Sequence, residues 1–511
     1  MIKRLDNVKL PVARSESELL KIASRNLGAP VKYFKILKKS LDARDKSNIV
    51  WVYSIAFSKE EESESAPSFE RVRTNPRIAI VGSGPAGLMC ALRLIDHGFR
   101  PLIIERGQPV EERRATCEKF YSTRILDSES NVQFGEGGAG TFSDGKLNTQ
   151  THDGFNRDVL KYFAQFGAPE EILYLNKPHV GSDKLYDVLR NIRAHITANG
   201  GKFLFNARVD GLEISGDKLV GLNVTDTRGG SSKAITCDAA VFAIGHSARD
   251  TFEMLDKYGV QMEARDFAVG VRIEHLARDI SFAQYGKSYV TLPTADYKLV
   301  SHAHERTVFT FCMCPGGVVI PAASEKGGVV VNGMSLYARD GENSNSALMV
   351  QMRRSDFGSD DLFAGMRFQR DIERRAFEEG GGNYRAPAIT FGDFSQDKLS
   401  GAFGEVKPTY AAGVTYAPLN GVLPKVAVEA LKVAIPDMDK RLKGFASPHA
   451  VMTGVETRFS SPVRILRNSL LQSVLLQNLY PCGEGSGYSG GITSSAADGI
   501  RTAEALFERF K

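Results

Sequence analysis

The sequence predicts an α/β fold: a parallel β-sheet domain with a small N-terminal α+β domain and an inserted mixed α+β domain. Two observations lead to this class. An apolar run at 78–81 is followed by a glycine-rich turn, a helical segment and a second apolar run at 102–104, which is the order of a βαβ unit. From residue 479 the chain again reads as strand, glycine-rich loop and helix. The region between them is mixed, as expected for an inserted domain.

The N-terminal region predicts a compact α+β unit that we expect to be ferredoxin-like. A strand near 8–12 precedes a helix, and two further strands follow around 31–37 and 49–57. Ser15 and Glu18 have the spacing of a capping box at the start of the helix, and Gly28 stands where a C-terminal cap belongs. Residues 58–76 are acidic and contain Ser and Pro without apolar periodicity, so they are predicted to be a linker.

Bulk composition restricts the possible partners. The net charge of +5 arises from nearly balanced charges, so no overall field would attract nucleic acid or an anionic membrane. Apolar runs are too short to span a bilayer, which needs about 18 consecutive residues. Six cysteines in 511 residues do not form a disulfide scaffold, and the N-terminus carries no apolar signal segment. We therefore expect a cytoplasmic protein that binds a small molecule, with no nucleic-acid partner.

The first glycine segment, residues 82–87, predicts a Rossmann-like dinucleotide site. Gly82 permits the tight turn out of the strand, Gly84 lets the backbone approach a pyrophosphate, and Gly87 allows close packing of the helix on the sheet. The helix N-terminus offers free N–H groups to the phosphates. Glu105, at the end of the second strand, is suited to a ribose hydroxyl pair. This segment alone does not distinguish FAD from NAD.

Two further glycine-rich segments favour a flavin. Residues 134–146 form a loop that can wrap closely around the cofactor, and residues 480–492 precede the last helix. In the latter, Glu484 suits a ribityl chain, and an isoalloxazine ring would lie over Gly490 and Gly491. The N-terminus of the following helix would then point at the flavin.

These segments carry a resemblance to known flavoproteins. Together with Val241-Phe242-Ala243-Ile244-Gly245, they resemble the FAD segments of the glutathione-reductase-type, two-dinucleotide-binding-domain superfamily. More narrowly, the chain resembles a family of predicted FAD-dependent dehydrogenases of unassigned substrate in four motifs: Lys39-Ser40-Leu41-Asp42-Ala43-Arg44, Phe311-Cys312-Met313-Cys314-Pro315-Gly316-Gly317, Val331-Asn332-Gly333-Met334-Ser335 and Thr453-Gly454-Val455-Glu456-Thr457-Arg458. Glu484 stands where many flavoproteins have Asp.

The resemblance implies FAD, a Rossmann-like domain and a mixed second domain. We expect an N-terminal domain at 1–70, the first part of the FAD-binding domain at 71–250, an inserted substrate domain at 251–445 and the C-terminal return at 446–511. The expected cofactor-binding residues are Gly82, Gly84, Pro85, Ala86, Gly87, Glu105, Arg106, Gly137, Gly138, Ala139, Gly140, Lys146, Val209, Ala243, Gly245, Gly483, Glu484, Gly490, Gly491 and Ile492.

Candidate catalytic residues are few: Arg272, Cys314 and Tyr488. Arg272 and Glu274 alternate along a predicted strand, so they share a face and either bind an anionic substrate or pair with each other. Tyr488 falls within the predicted flavin loop.

Arg458 and Arg464 are further candidates for the substrate side, since guanidinium groups suit anionic ligands. His246, directly after Gly245, is expected on the solvent or phosphate side.

Cys312 and Cys314 form a Cys-x-Cys pair for which two hypotheses stand. The pair either has a redox or substrate-thiol role beside the flavin, or consists of two half-buried free thiols on a strand, which is the favoured interpretation. His302 and His304 precede the pair at a spacing that a zinc site could use, but no metal is expected.

The predicted activity is that of an FAD-dependent oxidoreductase, a dehydrogenase that transfers a hydride through flavin N5 with a small organic substrate. The sequence shows no second glycine motif flanked by strand and helix, so NAD(P)H is expected at most as a transient electron donor. No CxxxxC pair follows the first βαβ unit, which weakens a disulfide-reductase hypothesis.

Three alternatives remain open: an FAD-dependent monooxygenase, an RNA-modifying flavoenzyme and a non-enzymatic flavin sensor. An RNA or acidic partner could meet the basic residues of the N-terminal unit, although a solvated face is favoured. These residues are Lys32, Lys35, Lys38, Lys39, Arg44 and Lys46.

Overall fold

The structure, a computed structural model, describes residues 1–62 and 68–511. The middle of the predicted linker at 58–76 lies outside the described residues. The strands are β1 Lys3–Pro11, β2 Tyr33–Asp42, β3 Val50–Ser58, β4 Ile78–Val81, β5 Leu102–Ile104, β6 Lys202–Leu204, β7 Ala207–Ser215, β8 Lys218–Asp226, β9 Ser232–Thr236, β10 Ala239–Phe242, β11 Met262–Ala264, β12 Phe267–Leu276, β13 Val300–Ser301, β14 Val308–Cys314, β15 Val318–Pro321, β16 Val331–Met334, β17 Asn343–Met352, β18 Ala386–Thr390, β19 Val414–Tyr416, β20 Val451–Glu456, β21 Val463–Ile465 and β22 Leu479–Pro481.

The first and the last α-helix of the cofactor domain lie where the sequence predicted them. The α-helices of the described chain are α1 Ser17–Leu27, α2 Pro85–Asp96, α3 Val110–Thr123, α4 Asn156–Gln165, α5 Ser182–Ala198, α6 Arg249–Lys257, α7 Ala277–Tyr285, α8 Ala364–Glu379, α9 Phe391–Gln396, α10 Lys425–Asp439 and α11 Ile492–Phe510. None of these helices is both long enough and apolar enough to cross a membrane.

A five-stranded parallel sheet forms the centre of the cofactor domain. Its strands lie in the order β22-β10-β4-β5-β6. If these five strands are renumbered 1 to 5 in the order in which they occur along the chain, their spatial order starting from β6 is 3-2-1-4-5. This is the order of a Rossmann-like doubly wound sheet. The order reverses between β4 and β10. Because ligands bind outside the carboxyl ends of strands at such a switch point, the fold places the site there.

Helix α2 is buried along nearly its whole length, as its apolar sequence requires. It lies between the sheet and α11, and α11 approaches so closely that a Cβ on Gly499 would meet Ala86 O at 2.1 Å. Helices α4 and α5 complete this layer. A second core lies on the opposite face of the parallel sheet. The antiparallel sheet β7-β8-β9 contributes to it, and Phe242 and Phe252 are fully buried there.

The inserted domain is built on a seven-stranded mixed sheet. Its order is β13-β14-β17-β12-β20-β18-β19, and all ten residues of the central strand β12 are buried. The inserted domain was expected to end at residue 445, but it extends further along the chain. Strand β20 still belongs to its sheet, because it pairs with β12 and β18. The chain rejoins the parallel sheet only at β22. The sequence at 451–456 mixes apolar and polar residues without regular alternation, which does not reveal to which sheet it belongs.

The N-terminal domain is a three-stranded sheet, β1-β3-β2, with α1 packed against it. Within the described residues 1–62 it holds one helix and three strands, which is less than a complete ferredoxin-like fold. The predicted capping box at α1 is wrong, because the Ser15 hydroxyl accepts from Ser17 N at 3.3 Å instead of capping the third helical residue. Gly28 does cap the helix, with φ of 65°.

Backbone hydrogen bonds attach the N-terminal domain to the cofactor domain. Lys39 N donates to Tyr174 O at 2.8 Å, and Asn176 N donates to Lys39 O at 2.9 Å. Lys39 also forms an ion pair with Glu16 and lies over the Trp51 ring. At least this member of the basic stretch is therefore engaged within the protein.

Candidate functional site

Four chain segments meet outside the carboxyl ends of the parallel strands. Gly82 follows β4, Glu105 follows β5, Ala243 follows β10 and Gly483 follows β22. All four positions were predicted from the sequence. The parallel sheet brings them together because its strands all end at the same edge.

Gly82 and Gly87 have the mechanical roles predicted for them. Gly82 has φ of 101°, and a Cβ there would lie 2.3 Å from the carbonyl oxygen of Ala243. A Cβ on Gly87 would lie 2.0 Å from Gly82 O. Both contacts are with backbone atoms, which cannot move away cheaply. The turn and the packing of α2 on the sheet thus require glycine.

Gly84 differs, because the protein itself leaves room for a side chain there. A Cβ at this position would have only the Cα of Gly138 nearby, at 3.8 Å. Gly84 is the N-cap of α2, with Pro85 next; among the described residues no side chain caps the helix, and its first turn holds no acidic residue. A glycine that the local packing does not require, in front of an open helix N-terminus, fits a close pyrophosphate.

Glu105 organises the glycine turns through its carboxylate. Its Oε2 accepts from Ser83 N at 3.0 Å and from the Ser83 hydroxyl at 2.7 Å. Its Oε1 accepts from Gly107 N at 2.9 Å and from Gly135 N at 3.0 Å. The sequence predicted a ribose contact and missed this second role. Carboxylate oxygens have about four acceptor sites, so a ribose hydroxyl contact must share them with these donors.

The second glycine segment runs from the first segment to the C-terminal helix. A 3₁₀ turn spans Gly138–Phe142, and Gly137 N donates to Ser83 O at 2.8 Å. A Cβ on Gly138 would lie 3.1 Å from Gly84 Cα, and one on Gly140 would lie 3.1 Å from Ile492 Cγ1. Ala139 lies in the same turn. This segment therefore lies between the N-termini of α2 and α11.

Lys146, at the end of that segment, forms a contact the sequence did not indicate. Its Nζ donates to Asp144 at 2.8 Å and to Met313 O in the inserted domain. Asp144 is fully buried and also binds Arg339. Although burial opposes ionisation, Lys146 and Arg339 lower the pKa of Asp144 to about 2. Part of the Lys146 ammonium is thus committed to joining the two domains.

The C-terminal loop is fixed at its base and open at its end. Gly483 N donates to Asp498 at 2.8 Å, and a Cβ on Gly485 would lie 2.6 Å from Gly245 O. A Cβ on Gly490 or Gly491 would meet no atom within 4 Å. The first turn of α11 contains no acidic residue. A second helix N-terminus therefore faces open space next to glycines, as expected for a flavin ring.

Glu484 and His246 form a partly buried polar pair beside this loop, with side-chain exposures of 25% and 10%. Their closest side-chain atoms are 4.0 Å apart, and His246 Nε2 lies 2.7 Å from Arg458 O. Burial, with a contribution from nearby Cys312, raises the pKa of Glu484 to about 7. Burial and the neighbouring Arg458 lower the pKa of His246 to about 4. His246 was expected on the solvent or phosphate side; its ring contacts Arg458 and only 10% of its side chain is exposed, so it does not face open solvent.

Arg272 and Glu274 do not do what either sequence hypothesis proposed. Arg272 is fully buried and binds Glu456 with both ends of its guanidinium, the Nη2–Oε1 distance being 3.0 Å. Glu274 instead accepts from Asn343 Nδ2 at 3.1 Å and from the Thr409 amide and hydroxyl. Both side chains are used within the domain, so Arg272 is not available to bind a substrate. Their partners come from distant strands and loops, which spacing along one strand cannot reveal.

Three other predicted residues have defined positions. Arg106 pairs with Glu129 and Asp250 and lies over the Phe134 ring. Val209 is buried in β7 opposite Val224, so its side chain belongs to the core. Tyr488 is 38% exposed and lies over Arg467, whose backbone N–H donates to its hydroxyl at 3.3 Å.

Of the two further arginine candidates, Arg458 is buried and pairs with Glu373, so it is not available to a substrate. Arg464 pairs with Glu263 at the partly exposed edge of the loop.

Cys314 is fully buried, while Cys312 is only partly buried. The sequence named Cys314 as a catalytic candidate, but Cys314 is fully buried, so Cys312 is the more accessible of the two residues. His302 contacts Thr307 and His304 accepts from Arg306 N. In the part of the chain that the structure describes, no group of three or more side chains could hold a metal ion.

The geometry fits FAD. Two helix N-termini, each next to glycines whose missing side chains leave space, lie at the edge of the sheet where Glu105 and Glu484 follow their strands. Backbone N–H groups suit the phosphates, and the carboxyl groups suit the sugar and ribityl hydroxyls.

Comparison with known proteins agrees with this site. Residues 266–459 match a family model described as an FAD-dependent protein, C-terminal domain-like, and residues 77–117 match an FAD binding domain. Residues 1–58 match a domain of unknown function. An uncharacterized protein of Clostridium beijerinckii is 44% identical over 535 aligned positions, which cover 100% of this chain and 99% of the relative. The chain belongs to a family of FAD-dependent oxidoreductases of unassigned substrate, and its cofactor is FAD.

More distant similarities are local or limited to the fold. A dual trans-enoyl reductase/FAD-dependent monooxygenase of Aspergillus terreus is 35% identical over 77 residues, 14% of this chain and 11% of that protein. The structure of a flavin-dependent brominase aligns at 14% identity with a TM-score of 0.39, covering 86% of this chain and 80% of the other. A glycerol-3-phosphate dehydrogenase from Bacillus halodurans complexed with FAD aligns at 12% identity with a TM-score of 0.38, covering 86% and 65%.

Proposed function

We propose that the protein is a dehydrogenase that transfers a hydride between flavin N5 and a small organic substrate, with NAD(P)H as a transient electron donor. One observation supports the small-molecule part of this proposal: the inserted domain contacts the cofactor loops. Lys146 Nζ donates to Met313 O, and His246 lies 2.7 Å from Arg458 O. A site at the junction of two domains is a common place for a small ligand.

FAD supplies two-electron chemistry when bound. The chain's own residues hold and surround it: the first turn of α2 would take the pyrophosphate, Glu105 the ribose, and Glu484 the ribityl chain. Asp144 and Lys146 fix the second glycine segment against the inserted domain. The raised pKa of Glu484, to about 7, lets that carboxyl hold a proton near neutral pH.

The test is an anaerobic absorbance spectrum of the purified protein before and after addition of NADH or NADPH. Flavin absorbance near about 450 nm that bleaches quickly would support a nicotinamide donor. Bands that persist would exclude that donor and direct a screen of organic substrates as direct reductants. If no screened substrate bleaches the flavin, the dehydrogenase proposal is wrong.

A monooxygenase is the second candidate, favoured by the local match to the Aspergillus protein. It would show NAD(P)H oxidation and oxygen consumption that both rise when one organic substrate is added. A dehydrogenase would transfer electrons without incorporating oxygen, so labelling the product with ¹⁸O₂ separates the two.

A further inference from the structure

The Cys-x-Cys pair lies at an irregularity at the end of β14. Pairing of β14 with β17 is regular as far as Phe311 and resumes, shifted, at Cys314. Between them Cys312 has φ of 43°, in the left-handed region that residues other than glycine rarely adopt. Such a bulge re-aims a side chain. Here it leaves Cys312 partly accessible beside the buried Cys314.

The side chain of Cys314 turns back toward Cys312. The Cys314 thiol donates to the backbone oxygen of Cys312 at 3.3 Å. Two cysteines this close together can form a disulfide without long-range movement of the chain. The remaining cysteines, Cys90, Cys117, Cys237 and Cys482, are buried elsewhere.

Two cations flank the pair. Arg272 Nη1 donates to Cys312 O at 2.8 Å and lies 4.0 Å from Cys314 Sγ, and Lys146 Nζ binds the intervening Met313 O. The neighbouring Cys314 thiol outweighs burial and, together with Arg272 and Lys146, lowers the pKa of Cys312 to about 6. The same contact and burial raise the pKa of Cys314. An accessible thiolate beside a protonated thiol is the arrangement of an attacking and a resolving cysteine.

The pair also adjoins the cofactor loops. Lys146 belongs to the second glycine segment, and Glu484, in the C-terminal loop, is close enough for Cys312 to influence its charge. The end of β14 that carries the cysteines therefore adjoins the FAD-binding loops. A two-electron redox group is placed next to the site of a two-electron cofactor.

We propose that Cys312 and Cys314 are a redox-active dithiol–disulfide pair that reacts with a low-molecular-weight disulfide. The Cys312 thiolate attacks one sulfur of the substrate, whose S–S bond breaks and releases one thiolate. The Cys314 sulfur then attacks Cys312 and displaces the second substrate sulfur, which receives the Cys314 proton; the first thiolate takes a proton from water. The substrate is reduced to two thiols, and the pair is oxidised to a disulfide. An external dithiol reverses the reaction.

The test uses the full-length, FAD-loaded protein equilibrated without oxygen at a series of ratios of reduced to oxidised glutathione. Free thiols are alkylated, the protein is digested with trypsin, and the peptide 307–326 is analysed by mass spectrometry. This peptide contains Cys312 and Cys314 and no other cysteine. We expect a change from doubly alkylated peptide to unalkylated peptide that has lost two hydrogens. A peptide that remains doubly alkylated at every ratio would overturn the proposal.

Variants identify the roles of the two sulfurs. Cys314→Ser is expected to accumulate a glutathione adduct at Cys312, while Cys312→Ser forms neither adduct nor disulfide in this peptide. Cys237→Ser, at a buried thiol of the cofactor domain, should behave as the unmodified protein. Failure of Cys314→Ser to trap an adduct, with its flavin absorbance intact, would count against the assigned attack.

Alkylation kinetics of the unmodified protein complete the test, because they need no variant. Cys312 should react with an apparent pKa near 6 and, at pH 7, roughly tenfold faster than an ordinary free thiol of pKa about 8.5. A rate that rises only above about pH 8 would contradict an activated Cys312. None of these readouts requires hydride transfer, so they stand or fall separately from the proposed dehydrogenase activity.

Discussion

Glu105 Oε1 accepts a hydrogen bond from the backbone N–H of Gly135 at 3.0 Å, which ties the end of β5 to the second glycine segment. Its other oxygen holds Ser83, within the first glycine segment. One buried carboxylate thus sets the relative position of two cofactor loops. Disturbing it would move both loops, whereas residues farther along each loop can be tested separately.

Gly84→Val should lose FAD while keeping the fold. The protein leaves space at Gly84, but a pyrophosphate needs that space. We expect FAD affinity at least about tenfold weaker, equivalent to about 1.4 kcal/mol, measured by fluorescence titration of the apoprotein. Gly421→Val is the matched control, because a Cβ there meets no atom within 4 Å and the residue lies between β19 and α10 of the inserted domain. Equal FAD affinity in Gly84→Val and the control would contradict the cofactor placement.

Glu484→Ala should also weaken FAD binding, by roughly tenfold, because it removes a partly buried hydrogen-bond partner for the ribityl chain. Glu484→Gln keeps a side chain of the same length that can accept and donate, so it should retain most of the affinity. The same titration measures both. Glu508→Ala removes a carboxylate from the exposed end of α11 and should leave affinity unchanged. Full affinity in Glu484→Ala would remove this residue from the cofactor site.

Glu373→Gln should destabilise the protein strongly. Glu373 in α8 is buried between two arginines, 2.9 Å from Arg249 and 3.1 Å from Arg458, and they hold its pKa well below the usual range despite burial. Removing its charge leaves two buried guanidinium groups poorly compensated, which costs about 3–5 kcal/mol. Denaturant unfolding measures this difference.

Asp371→Asn is the control on the same helix. Asp371 and its partner Arg374 are exposed, so this change should alter the free energy of unfolding by less than about 0.5 kcal/mol. If the two variants lose similar amounts of unfolding free energy, the buried cluster of Glu373 and its arginines does not stabilise the protein more than an exposed ion pair does.

Glu274→Gln should flatten the pH dependence of stability. Burial raises the pKa of Glu274 to about 7, whereas the unfolded chain titrates near about 4.3. The folded protein therefore holds this proton more tightly, so its stabilising effect is complete below about pH 4 and is lost as the pH rises towards 7. The glutamine variant lacks this titration. In the unmodified protein, we expect the titration of Glu274 to lower the free energy of unfolding by on the order of 2–4 kcal/mol between about pH 4 and pH 7.

The free energy of unfolding at pH 5 and pH 7 checks this prediction for Glu274. The exposed Glu405→Gln should keep the pH profile of the unmodified protein. If Glu274→Gln shows the same decline between these pH values as that control, Glu274 does not carry a raised pKa in the folded state.

Much of the cofactor domain could be predicted because its signals are local. The order of strand, glycine turn and helix at 78–97 requires only neighbouring residues, and each glycine's conformational or steric role is visible in the sequence. The C-terminal loop and α11 follow the same logic. FAD binding was therefore predictable from short segments whose chemistry does not depend on the rest of the chain.

Only the tertiary structure decided which charged residues meet. Arg272 binds Glu456 rather than Glu274, because the inserted sheet pairs strands that are far apart in sequence. Lys146 likewise donates to Met313 O, which is distant from it in the chain. Burial then fixes their charge states: where water is excluded, an ionic group must pair or shift its pKa. The sequence by itself determined the cofactor, the parallel sheet and the positions of the glycine loops. The folded chain decided how the inserted domain closes over them, and with it the contact between Cys312 and Cys314.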